Sequence, residues 1–368
     1  MHYGIISLSL NDYAFKTMDL ELFLEILGVD STSGQELRLA EFLKERLSGG
    51  HSTSVFEVGD GTVNLLLDWS GTGCPPFVFC THLDTVPPYI PPVVELVREG
   101  DRLPDGRIAQ ADDTIIKGRG SCDAKGQIFS MYNACLRLAR EGRRDFGLLL
   151  LAGEETGSHG AKAYTRDNPG GEFVLVGEPT DNCLASASKG TKSFEVTIPG
   201  KACHSGYPEN GTSAVERFVD MVNNLRITDF PEDSILGRTT WNVGDLVSSN
   251  PQNILSPEIS FRIYFRTTFA SDSLVQDRLL KACPPGTVIH AFGGDSPMMY
   301  FSDVEEVPSK SVSFGSDAPR LDKFKRRAIC GPGSILTAHT DKEYVLVSDL
   351  KTAVERYMLI YKTVTKRT

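Results

Sequence analysis

The chain has 368 residues, 40% of them hydrophobic and 23% charged, with a formal net charge of −10 and eight cysteines. That length exceeds what one hydrophobic core usually serves, so two domains are expected, and the acidic balance excludes nucleic acid as the natural partner. No stretch reaches the ~20 apolar residues of a membrane helix, the N-terminus carries no secretory signal, and no CxxC pair occurs, which together point to a cytoplasmic protein with reduced thiols.

Residues 12 to 27 place Phe15, Met18, Leu22, Phe23, Ile26 and Leu27 on a helical stripe that ends at Gly28. Ser33-Gly34-Gln35-Glu36 opens a second helix, with Leu37, Ala40, Phe42, Leu43 and Leu47 as apolar positions. Strand-like runs follow at Val55 to Val58 and Asn64 to Leu67, then at Phe77 to Cys80, which leads into Thr81-His82-Leu83-Asp84. His82 and Asp84 are two apart and point to the same side, as a metal-binding imidazole held by a carboxylate would require. A hydrogen-bonded structural histidine satisfies that spacing equally well. Further on, Lys117-Gly118-Arg119-Gly120-Ser121-Cys122-Asp123 precedes a helix from about Gly126, and Asp123 reads either as its N-cap or as a ligand.

The run Phe146 to Ala152 has no polar alternation and suits a strand buried on both faces of a parallel sheet. It breaks into Gly153-Glu154-Glu155, where adjacent carboxylates repel unless a cation or a shared proton reconciles them. Phe173 to Val176 is a similar strand and ends in Gly177-Glu178. Ligands of open α/β sheets bind at the carboxyl ends of strands. A set of His, Asp and Glu without thiolates suits zinc, manganese or cobalt.

After Asn182 the texture changes. Ser193 to Ile198 and Ile259 to Phe265 alternate apolar and polar residues, as strands with one wet face do, and Val215, Phe218, Val219, Val222 and Leu225 form a helical stripe between them. Arg262 and Arg266 lie on the wet face, as ordinary exposed arginines or as anion-binding forks. Short strands and turns then lead to Thr337-Ala338-His339, and a helix is expected from about Ser348 to Val364. The expected organisation is a first domain from 1–182 and 295–368, interrupted by an α+β domain at 183–294. The fold class is α/β, a mixed, mostly parallel sheet flanked by helices, with the insert as a lid or dimerisation domain.

The ordered motifs THLDTVP, GRGSCDAKG, GEETGSHG, GEPT and GPGSILTAH, with GKACHSG in the insert, resemble the dinuclear-zinc amidohydrolases. That family includes acetylornithine deacetylase, succinyl-diaminopimelate desuccinylase, aminoacylase and glutamate carboxypeptidase. The resemblance runs from about Leu20 to Tyr361 and leaves residues 1–17 unmatched, so Met18 is an alternative start. It implies two Zn²⁺ ions, replaceable by Co²⁺ or Mn²⁺, with His82 and Glu178 on one, Glu155 and His339 on the other, and Asp123 between them. Asp84 would orient His82, Glu154 would be the general base, and His204 would donate to the oxyanion. Arg266, Arg262, Asn253 and Gly333 are the implied substrate contacts. Thr81 replaces a usual glycine and DAKG a common DMKG, without removing a ligand. A cis peptide is implied at Asp123-Ala124.

The pattern GPG-x4-AH around His339 is similar to acetylornithine and acetylcitrulline deacetylases. It implies hydrolysis of an N-acyl amino acid, most specifically an N-acetylornithine deacetylase-like step of arginine biosynthesis. The alternatives are a dipeptidase, an aminoacylase, a desuccinylase, or a catalytically dead binding relative. The resemblance also implies a homodimer through the lid sheet, with His204 serving the partner's metals.

Overall fold

The computed structural model describes residues 18–47, 49–59 and 61–366. Its centre is a six-stranded sheet built from β1 (Ser52–Gly59), β2 (Thr62–Asp68), β3 (Phe77–His82), β4 (Phe146–Leu151), β5 (Phe173–Val176) and β6 (Arg326–Ile329). The strand order is β1-β2-β4-β3-β5-β6. β3 pairs in parallel with β4, Phe77 opposite Phe146 and His82 opposite Leu151, and in parallel with β5, Phe77 opposite Phe173. β6 extends the parallel run, while β2 joins β4 antiparallel and β1 joins β2 antiparallel.

Every residue of β3, β4 and β5 is buried, which explains why those runs show no polar alternation. Helices Leu20–Gly28, Lys125–Arg140 and Val347–Lys366 share one core with them. Tyr361 from the last helix stands edge-on to Phe77 and Phe146, at 5.1 and 5.7 Å between ring centroids. Such edge-to-face contacts fix ring orientation as well as burying area. With β3, β4 and β5 running the same way, their carboxyl ends lie along one edge, and the loops holding His82, Glu154 and Glu178 emerge there together.

The chain divides into two compact units, one of residues 186–299 with 311–315, the other comprising the rest. The smaller unit has a four-stranded antiparallel sheet in the order Thr240–Val247, Glu258–Thr267, Gly190–Pro199, Val288–Gly293. Phe194, Val196, Ile198, Ile259, Phe261, Ile263 and Phe265 form its dry face and pack with Met221, Leu225 and Leu279 from its helices.

Three expectations need adjustment. The helix that carries Leu22 and Phe23 begins at Leu20, where the Asp19 carboxylate accepts the Leu22 N–H at 3.1 Å; Phe15 lies outside the described residues. Asp123 is not an N-cap: helix Lys125–Arg140 is preceded by Ala124 with no side-chain cap, and the Asp123 carboxylate turns elsewhere. Helix Ala214–Ile227 buries Ala214, Met221 and Leu225, with Phe218 and Val222 partly covered, while Val215 and Val219 are exposed. Its apolar arc is wider than the stripe that the sheet covers, so spacing alone did not say which flank faced inward.

Candidate metal centre

His82 ends β3. Its Nδ1–H donates to the Asp84 carbonyl at 2.8 Å, which turns Nε2, the nitrogen that would ligate a metal, towards Asp123. Nε2 lies 3.0 Å from Asp123 Oδ1. The Asp84 carboxylate is 3.6 Å from Nδ1 but accepts the backbone N–H groups of Glu154 and Glu155, at 3.0 and 3.1 Å, and the Ser33 hydroxyl at 3.1 Å. Asp84 therefore joins two strand ends and fixes the backbone that carries the two glutamates. Its own pKa is lowered: burial would raise it, but His82 and those N–H donors outweigh that.

Asp123 sits between two groups. One is His82, Asp123 and Glu178, the other Asp123, Glu155 and His339, and in each the ligand atoms lie within 4.8 Å of one another. His339 Nε2 is 3.2 Å from Asp123 Oδ2 and 2.9 Å from Glu155 Oε1. Hydrogen bonds to Asp123 and Glu155 push the His339 imidazole up to about 10. The peptide after Asp123 is cis.

Glu178 is 4% exposed, and its Oε1 has no hydrogen-bond partner. Burial pushes this carboxyl well above the usual range, and Glu154 and Asp123 add repulsion. An unpaired buried oxygen facing an imidazole and further carboxylates fits a cation-binding role, since burying such a group unpaired is costly. The donor set is oxygen and imidazole nitrogen, which suits zinc or manganese. Glu154 belongs to a third group, with His82 and Glu155. Burial raises its pKa well above the carboxylate range; the His82 charge opposes this, while Asp317, Glu155 and Asp123 reinforce it.

The remaining expected site residues lie as follows. His204 is exposed and its Nδ1 accepts the Gly206 N–H at 3.1 Å, so the ring carries its proton on Nε2, as an oxyanion donor must. Asn253 stands beside it, its carbonyl accepting the Ser205 N–H at 2.9 Å. Arg262 Nε is 3.8 Å from Asp245 and its guanidinium lies over Phe292. Arg266 stacks over Tyr264 and, among the described residues, forms no ion pair with a carboxylate. Gly333 adopts φ +77°, and a Cβ there would stand 2.3 Å from Cys122 Cβ. Glycine is required for that close approach. Its carbonyl is taken by the Asp181 N–H, at 2.8 Å.

Two buried carboxylates that interact with the cluster escaped the sequence reading. Asp317 is 2% exposed, and burial pushes it up to about 7 despite the His82 charge and the Ser158 hydroxyl. Glu343 is equally buried. Neither follows an apolar strand run, the signal that marked His82, Glu154 and Glu178.

Comparison with known proteins is consistent across sequence and structure. A family model described as peptidase family M20/M25/M40 matches residues 78–363. A peptidase M20 domain-containing protein of Schizosaccharomyces pombe is 30% identical over 356 residues, covering 93% of this chain and 84% of the relative. A protein named "probable carboxypeptidase" in Aspergillus clavatus is 29% identical over 378 residues, covering 95% and 89%. Among solved structures, a tripeptidase from Staphylococcus aureus superposes with a TM-score of 0.74 at 19% identity, covering 94% of this chain and 98% of that one.

Proposed function

Because the chain belongs to peptidase family M20/M25/M40, we propose that it is a metal-dependent hydrolase that cleaves the amide joining a terminal amino acid, with its free α-carboxylate, to an acyl or peptidyl group. The observation that carries this reading is the pair of ligand groups sharing Asp123. Divalent cations bound there would supply Lewis acidity and lower the pKa of water at the site. His82 and Glu178 would hold one, Glu155 and His339 the other.

The protein's own groups do the rest. Glu154 takes a proton from the attacking water and returns it to the departing amine. Its position is set by Asp84, which holds the backbone on which it stands. His204 Nε2–H is the proposed donor to the developing oxyanion. The α-carboxylate pairs with Arg266, which among the described residues forms no ion pair with a carboxylate, whereas Arg262 faces Asp245.

Carboxypeptidase action and N-acyl amino acid deacylation share this chemistry and differ in what lies beyond the amide carbonyl. The relative's name supports the first. The GPG-x4-AH pattern supports the N-acetylornithine deacetylase expectation. The test is a panel of di- and tripeptides, their C-terminal amides, and N-acetylornithine. Release of the C-terminal residue from tripeptides, with C-terminal amides cleaved at least about 10-fold more slowly, supports a carboxypeptidase; hydrolysis of N-acetylornithine alone supports the deacetylase, and release of only the N-terminal residue from tripeptides contradicts both. Arg266→Lys should cost about 2 kcal/mol in kcat/KM through loss of the planar fork. Unchanged kinetics would remove Arg266 from the site.

A further inference from the structure

Among the described residues Glu343 forms no ion pair with a side chain of the cluster, yet it grips the backbone of the residue they share. Its Oε1 accepts two successive N–H groups, that of Cys122 at 3.2 Å and that of Asp123 itself at 3.1 Å. Its Oε2 accepts from Arg119 Nη1 at 2.6 Å. Arg119 is 2% exposed and its Nε donates to the Pro88 carbonyl at 3.3 Å. The Gly118 N–H closes the loop by donating to the Glu343 carbonyl at 3.1 Å.

Glu343 lies four residues after His339, on the far side of a turn. The residues just before His339 meet the Asp123 loop as well, where the Cys122 thiol rests 3.7 Å from the Ser334 carbonyl and 3.9 Å from the Thr337 hydroxyl. The segment presenting His339 and the loop presenting Asp123 are therefore tied through one carboxylate. A buried ion pair adds little net stability, because desolvation offsets its attraction. What it supplies here is direction, two amides and a guanidinium converging on one rigid group.

We propose that Glu343 is a positioning residue that sets the Asp123 carboxylate relative to His339, so that a second cation can share it with the first. This rests on the metal-centre reading above. Groups that hold a ligand from behind typically change metal affinity 10–100-fold when altered.

The test compares zinc affinity of the full chain, by competition with a chromophoric chelator, with its melting temperature. In Glu343→Gln the one remaining oxygen is drawn to the charged Arg119 guanidinium, so the NH₂ faces the Cys122 and Asp123 N–H groups and that grip fails. The weaker of the zinc sites should lose about 10–100-fold in affinity. Arg119→Lys keeps the charge pair and both amide bonds, and should stay within about threefold. A Glu343→Gln variant with a lowered melting temperature but unaltered zinc affinity overturns the proposal, since Glu343 would then only hold the fold. Should that variant fail to fold, Glu343→Asp carries the same test. It keeps the charge but is one methylene too short to reach both Arg119 and the amides, so unaltered affinity overturns the proposal there too. A wild-type chain that binds no zinc overturns the metal centre itself, and this inference with it.

Discussion

Glu154→Gln is expected to lower kcat by at least about 10²–10⁴-fold, the range contributed by a positioned general base, while bound metal stays at the wild-type level. The substitution leaves shape and backbone bonds alone, because Asp84 holds Glu154 through its N–H and not its side chain. Only the capacity to carry a proton is removed. Metal analysis of the same sample separates the two roles open to this residue. Glu154 lies with His82 and Glu155 in a group compact enough to hold an ion. If Glu154→Gln loses metal along with rate, it is a ligand and the base lies elsewhere. If it keeps more than a tenth of wild-type rate, it is neither.

Asp123→Asn should be as severe by a different route. Both ligand groups depend on this carboxylate, and His82 and His339 face it from two sides, at 3.0 and 3.2 Å. Removing the shared charge leaves the remaining cationic groups uncompensated in a buried setting, a penalty of about 3–5 kcal/mol, or roughly 10²–10⁴ in affinity. Metal content should fall and activity with it. The fold should survive, because Glu343 grips the Asp123 N–H whatever the side chain. Full metal content in a folded Asp123→Asn chain would show that the carboxylate is not shared.

The two effects differ in kind because the residues were legible in the sequence for different reasons. His82, Glu154 and Glu178 each follow an unbroken apolar run, and such runs belong to parallel strands whose carboxyl ends converge. Strand periodicity alone marks their positions. His339 has no such run immediately before it; it ends a turn at φ +63° and only the resemblance of its motif pointed to it. Asp84 was legible as a neighbour of His82, but its main bonds go to amides some seventy residues on, which an i, i+2 spacing cannot express. Glu343 and Arg119 are separated by more than two hundred residues and meet only through the folded chain. Asp317 sits in a polar stretch, SFGSDAP, that looks like any surface turn. Helix Ala214–Ile227 shows the same limit for packing, since its apolar arc exceeded the stripe that the sheet could cover. Sequence periodicity marks what must be buried and where strands stop. It does not record which distant backbone a buried carboxylate will hold.

The most direct test is to strip the purified chain of metal with a chelator, dialyse it against zinc, and count bound zinc while following release of the C-terminal amino acid from a peptide. The account predicts about two zinc ions per chain, one for each group around Asp123, with hydrolysis lost on stripping and restored on reloading. Undiminished hydrolysis by a chain that holds no metal would contradict it.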